Sequence, residues 1–239
     1  MPRLVDLSMP VQKNMMVFPR IQPPALLMYE TWQEFAEGIG AAKYGANWLT
    51  ASYLVIQGDH VGTHCDALKH IRGPEAPGPE GIPLEYCFSD GVVLDFRDKP
   101  FGYGITRNDI DAALARINYE LKERDIVLIQ TGASAYNTEP RYLTDHVGMT
   151  AEATRYLISR GVRLMGTDAP TFDPPVWAMF ERKQFWEAHM VMMDEDYWHI
   201  ENLVNLDQLP PCHFQLAVFP IKWVGTTAAP VRAVGIINE

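Results

Sequence analysis

Residues 91–96 (GVVLDF), 106–117 (TRNDIDAALARI), 125–131 (DIVLIQT), 150–160 (TAEATRYLISR) and 162–166 (VRLMG) decide the fold. The first, third and fifth are short apolar runs that read as strands. The second and fourth carry apolar residues at helical spacing behind a threonine. Thr106 can cap the first helix, with Asp109 three residues on as in a capping box. Thr150 can cap the second, and Gly161 can end it. Strand, helix, strand, helix, strand is the alternation of an α/β unit.

Working outward, the ends of the chain read as β-rich. Upstream, residues 3–8 and 25–30 read as strands, separated by a loop in which Pro19, Pro23 and Pro24 exclude regular structure. Residues 32–37 suit a short helix ended by Gly38. Residues 47–57 (NWLTASYLVIQ) are rich in β-branched and aromatic residues and read as a strand. Downstream, residues 181–193 are helical in their first part, and 200–204, 214–223 and 231–237 read as strands. The expectation is a single domain over residues 1–239, α/β in class, with an open or barrel-like mixed sheet and flanking helices.

Composition narrows the function. Of 239 residues, 47% are hydrophobic and 21% charged, which suits an ordinary core. A formal net charge of −10 disfavours nucleic acid and anionic membrane surfaces as partners. Three scattered cysteines without a C-x-x-C make no disulfide framework and fit a reducing compartment. The first residues lack the apolar core of a signal peptide, and no apolar run reaches spanning length. A cytoplasmic location is the expectation.

Residues 60–70 (HVGTHCDALKH) hold three of the seven histidines. His60, His64, Asp66 and His70 are separated by even offsets, so an extended backbone would point all four to one side. Gly62 lets the chain bend between the first two histidines. Imidazoles with a carboxylate form a donor set for Zn, Mn or Fe(II). The pattern points to a catalytic metal site, with His70 left for proton transfer. Residues 72–83 (RGPEAPGPEGIP) form a Pro/Gly loop placed to rim it.

The motif H-x-G-T-H-x-D-x-x-x-H at residues 60–70 resembles that of the metal-dependent cyclase-like hydrolases, which include bacterial kynurenine formamidase and isatin hydrolase. Asp6-Leu7-Ser8, residues 150–173, His189, Glu201-Asn202-Leu203, residues 219–222 and residues 230–233 are similar to further family stretches. The resemblance implies a swivelling β/β/α fold around a mixed sheet, assembled as a homodimer or homotetramer. It implies His60, His64, Asp66, His189 and Glu201 as ligands of one or two divalent ions, Zn or Mn, with Asp66 bridging. His70 matches the family's acid/base. Two departures stand out. Leu68 occupies the place of a family proline, and no P-G-D follows Phe18-Pro19-Arg20.

Such a site would hydrolyse a C–N amide bond by activated water, with an aryl N-formyl amide or an aromatic-fused cyclic amide as substrate. The rivals are a lactonase or a cyclase/dehydratase, and a metal-binding protein without catalysis. Two aromatic clusters flank the ligand segments: Trp32, Phe35, Tyr44 and Trp48, and Phe172, Trp177, Phe180, Phe185 and Trp186. As a set they suit a pocket for a flat aromatic substrate. Asp168 reads as a turn residue before Pro170. His146, His199 and His213 sit in no motif and read as structural or surface residues.

Overall fold

The computed structural model describes residues 1–238. Its strands are β1 (Arg3–Asp6), β2 (Ala25–Glu30), β3 (Ser52–Ile56), β4 (His64–Asp66), β5 (Phe88–Asp95), β6 (Gly104–Ile105) and β7 (Ile126–Gln130). They continue with β8 (Gly148–Met149), β9 (Leu164–Thr167), β10 (Trp198–Glu201), β11 (Phe214–Ala217), β12 (Ala228–Pro230) and β13 (Val234–Ile237). The helices are α1 (Trp32–Gly38), α2 (Lys69–Arg72), α3 (Arg107–Arg116), α4 (Ala151–Ser159) and α5 (Val176–Arg182).

Nine strands form one mixed sheet in the order β1-β13-β11-β5-β7-β9-β10-β4-β12. The stretches that decide the fold sit at its centre. β5, β7, β9 and β10 run parallel, and antiparallel strands flank them on both sides. Every residue of β7 (IVLIQ) is buried, as expected for a parallel strand covered on both faces. The alternation between these strands supplies the cover. α3 buries Ile110, Ala113 and Leu114, and its Thr106–Asp109 capping box is formed in both directions. α4 begins at Thr150, whose side chain accepts a hydrogen bond from the Ala153 N–H, and buries Ala153, Thr154, Leu157 and Ile158. Gly161, at φ +90°, turns the chain out of α4 in the left-handed region.

Several boundaries differ from the sequence reading. The strand expected over 214–223 stops at Ala217, and Val218 onward turns away toward Pro220, which pairs in isolation with Val231. The helix expected at the start of 181–193 lies earlier, at Val176–Arg182, because Pro174-Pro175 opens it. Residues 189–193 form a short 3-10 turn instead. β12 was not expected at all.

β2 and β3 pair only with each other, as an antiparallel arm outside the main sheet. All five residues of β3 are exposed, among them Tyr53, Leu54, Val55 and Ile56.

Candidate metal centre

The pairing of β10 with β4 builds the centre. Its register sets His199 beside Asp66 and Glu201 beside His64. Side chains two apart on a strand share a face, so these four project to one side of the sheet. Three further histidines arrive from outside the strands. His60 precedes the bend at Gly62, which sits at φ +66°, where a Cβ would come within 3.0 Å of Val11. His70 stands on α2, and His189 opens the 3-10 turn at residues 189–193.

Residues 60–70 are therefore extended only in part. The strand covers His64–Asp66 alone. His70 reaches the site because the chain turns helical at Leu68, with φ −57° and ψ −30°. That φ lies in the proline range, so the backbone keeps the geometry of the family proline while the leucine side chain is buried in the core.

Asp66 is wholly buried, and its two oxygens face different histidines. Oδ1 lies 3.0 Å from His60 Nδ1 and 3.2 Å from His64 Nε2, and those two nitrogens are 3.2 Å apart. Oδ2 lies 3.4 Å from His189 Nε2, which is also 3.4 Å from Glu201 Oε1. Glu201 Oε2 reaches back to within 3.6 Å of His64 Nε2. All five residues implied by the family resemblance thus converge.

The surrounding bonds orient each ring. His64 Nδ1 donates to the Gly62 carbonyl at 2.8 Å. His189 Nδ1 meets Asp173 Oδ2 at 2.5 Å, and Asp173 also accepts from the Ala188 and His189 amides. His60 Nε2 is 2.9 Å from Thr227 Oγ1, whose own proton goes to Asp59 Oδ2. With a metal bound, these partners would keep the proton on the outer nitrogen of each ring and leave the inner nitrogen to present a lone pair beside Asp66.

This donor set fits a divalent metal. Ligands about 2.1 Å from a tetrahedral ion lie about 3.4 Å apart, close to the separations here. Neither oxygen of Asp66 has a hydrogen-bond partner. Leaving a buried polar atom unpaired costs about 1–3 kcal/mol, so the lone pairs are arranged for something other than protein donors. Burial would push the Asp66 carboxyl up, but the surrounding imidazoles of His60, His70, His189 and His199 outweigh it and hold it well below the usual range.

His70 stands apart. Its Nε2 is 3.9 Å from Asp66 Oδ2, its ring stacks at a tilt 4.4 Å from that of His60, and its side chain is 32% exposed. Burial is the main force pulling its pKa down to about 4, so the imidazole is neutral at physiological pH.

The centre forms the floor of a cavity of about 450 Å³ walled by Phe18, Pro19, Ile21, Ile71, Trp186 and Met190. Of the nine aromatic residues expected to line a pocket, only Trp186 does so. Trp32 and Trp48 stack on each other, and Phe180 packs against Phe185. Trp177 donates to the Thr144 carbonyl, and Phe172 lies against His199. The wall comes instead from residues 18–21, where the family's P-G-D is missing. A larger cleft of about 1140 Å³ lies elsewhere and contains none of the converging histidines.

Sequence reasoning missed His199. It is fully buried, with Nε2 3.2 Å from Asp66 Oδ2 and 3.5 Å from Glu201 Oε1. The signal was its place two residues before Glu201, on the same strand face. Asp168 is more than a turn residue: it accepts from Thr131 N, Thr131 Oγ1, Gly132 N and Ser134 Oγ and ties β9 to the segment after β7. His146 is buried, as a structural residue would be.

A nine-stranded α/β sheet with this histidine and carboxylate cluster defines a cyclase-like class of protein. Residues 5–174 match the family described as "Putative cyclase", and the chain belongs to that family. Over 236 residues, 98% of both chains, it is 31% identical to the kynurenine formamidase of Bordetella avium (strain 197N). It is 35% identical over 177 residues to that of Sphingopyxis alaskensis, covering 73% of this chain and 75% of the relative. Isatin hydrolase A from Labrenzia aggregata bound to benzyl benzoate superposes with a TM-score of 0.83 at 24% identity, covering 100% of this chain and 94% of the other. Isatin hydrolase A from Ralstonia solanacearum does so with a TM-score of 0.82 at 23% identity, covering 99% and 92%. These two likenesses concern the fold.

Proposed function

We propose that this protein is a metal-dependent hydrolase that opens the C–N bond of an aryl formamide or of a cyclic amide fused to an aromatic ring. The observation that carries the reading is Asp66, shared between two sets of histidines at the floor of an apolar cavity, with His70 beside it. The similarity to kynurenine formamidases supports the choice of bond.

His60, His64 and Asp66 would hold one ion, and Asp66, His189 and Glu201 a second. A divalent ion there acidifies water and polarises a carbonyl. The nitrogen and oxygen donors serve Zn or Mn alike. His70, neutral at working pH, takes the proton from attacking water and returns it to the leaving nitrogen as the C–N bond breaks. Thr171 lines the cavity, and its hydroxyl has no protein partner, so it is available to donate to the carbonyl oxygen of the substrate. Phe18, Ile21 and Trp186 pack against the aromatic ring and exclude bulk water.

The whole chain, residues 1–239, works as one domain, because one apolar core runs from Val5 to Ala233. The exposed apolar β2–β3 arm supports a homodimer or homotetramer, since a second copy would cover it. Three unpaired cysteines fit a reducing cytoplasm, and no described helix is long and apolar enough to cross a membrane. A small aromatic molecule, rather than nucleic acid or a lipid surface, is the partner that suits the cavity and the charge of −10.

The test is a screen of metal-loaded protein against N-formylkynurenine, isatin, related lactams and lactones. Hydrolysis of an amide is the expected result. Turnover confined to lactones would overturn the choice of bond.

A further inference from the structure

We propose that His199 is a fourth protein ligand on one side of the centre. Asp66, His189, His199 and Glu201 then form a closed ion site, while His60, His64 and Asp66 hold a second ion with positions left for water and substrate. This rests on the metal-centre reading above and divides its labour.

His199 Nε2 takes up the same relation to the two carboxylates as His189 Nε2. The separations are 3.2 and 3.5 Å for His199, and 3.4 and 3.4 Å for His189. All four agree with the edge of a tetrahedron around a metal, about 3.4 Å. The four residues are all buried, and one ligand atom from each lies within 4.8 Å of every other. A satisfied core histidine would hydrogen-bond through at least one nitrogen. His199 bonds through neither, and it is completely enclosed. Its ring is nevertheless fixed. Phe172 stacks on it at 4.7 Å and 9°, and His189 meets it edge-on at 4.4 Å.

The two sides differ in donor count. Both border the cavity, which His60, His64, Asp66, His189 and Glu201 all line. His199, which is not part of the cavity wall, adds a fourth donor on one side only. Four protein ligands characterise ions held for structure, and three plus an open position characterise ions that do chemistry. The ion beside His199 is therefore the slowly exchanging one, and the ion at His60 and His64 is the labile one.

The experiment dialyses zinc-loaded protein against rising chelator concentration and counts zinc per chain by elemental analysis, for wild type, His199→Leu and His199→Gln. Folding is checked by circular dichroism. Wild type is expected to lose its two ions in separate steps, with one resisting chelator concentrations that remove the other. In His199→Leu the resistant step should shift by more than about 100-fold, beyond what loss of an outer partner costs, with the labile step unmoved. His199→Gln keeps a polar side chain and guards against a folding failure in the leucine variant; it should shift in the same direction. Cobalt placed only in the resistant site gives a second readout, since the intense visible absorption of four-coordinate cobalt there should fall in both variants. Two retained ions with an unmoved resistant step in a folded variant would overturn the role of His199 and leave the metal centre standing. A wild-type protein that binds no zinc would overturn the centre itself, and this inference with it.

Discussion

Asp66 and the residues around it separate two kinds of contribution, which two substitutions can tell apart. His70 touches no other donor of the centre closely enough to be a ligand, so His70→Ala should lower kcat by about 10²- to 10⁴-fold while the metal content stays unchanged. Asp173 has the opposite signature. It grips His189 Nδ1 and the Ala188 and His189 amides, so Asp173→Asn should lower metal affinity by about 10- to 100-fold. Elemental analysis beside steady-state rates distinguishes the two. At this scale the local motif was legible: His60, His64, Asp66 and His70 do meet. His189 and Glu201 could be named only from the family resemblance, because nothing in residues 60–70 points more than a hundred residues away. His199 was hidden for a physical reason. It lies between Trp198 and Ile200 in a buried strand, where a histidine looks like packing until its neighbour two residues on is known to face a site.

Elements were legible where side chains bond to their own backbone. The α3 capping box was readable because Thr106 and Asp109 are three residues apart and act locally. Asp109 also bonds Lys99 and Tyr103. Burial would raise its pKa, but the Lys99 ammonium and the donors from Thr106 and Tyr103 outweigh it and pull it down to about 2. A depressed carboxyl stabilises the fold above its unfolded pKa of about 3.9. That contribution is lost as the pH falls from about 4 toward 2. Urea midpoints measured at pH 5 and pH 3 should therefore drop less for Asp109→Asn than for wild type, after a loss of about 1 kcal/mol at pH 5 for the weakened cap. β12 was not legible, since Ala228-Ala229-Pro230 has neither alternation nor β-branched residues. It is a strand only because β4 offers it an edge. The helical start to 181–193 was misplaced because periodicity outweighed the proline pair at 174–175.

For the whole molecule, class could be read but sheet order could not. The alternation over residues 91–166 fixes an α/β core, whereas β4 finds β10 and β12 across more than 130 residues of chain. Such long-range pairing depends on tertiary packing that leaves no local trace. Residues 47–57 do contain the strand that was read there, at Ser52–Ile56, but nothing local shows that it leaves the main sheet, and Tyr53 to Ile56 stand exposed on the arm, Val55 at 54%. If a second copy covers this surface, as proposed above, Leu54→Lys with Val55→Lys should lower the mass to that of a monomer, as read by light scattering on a sizing column. An unchanged mass would place the interface elsewhere. The arm leaves and rejoins the body through residues 18–21 and 58–60, which border the cavity, so the monomer is also expected to bind substrate less well.

The proposed C–N hydrolysis at Asp66 depends on bound metal. The most direct measurement strips the protein of metal, titrates zinc or manganese back, and follows hydrolysis of an aryl formamide or a cyclic aryl amide at each step. Activity should be absent from the stripped protein and should rise in proportion to metal bound, saturating at full occupancy. Amide turnover that proceeds unchanged in the stripped protein, or that never appears in the fully loaded one with any such substrate, would contradict it.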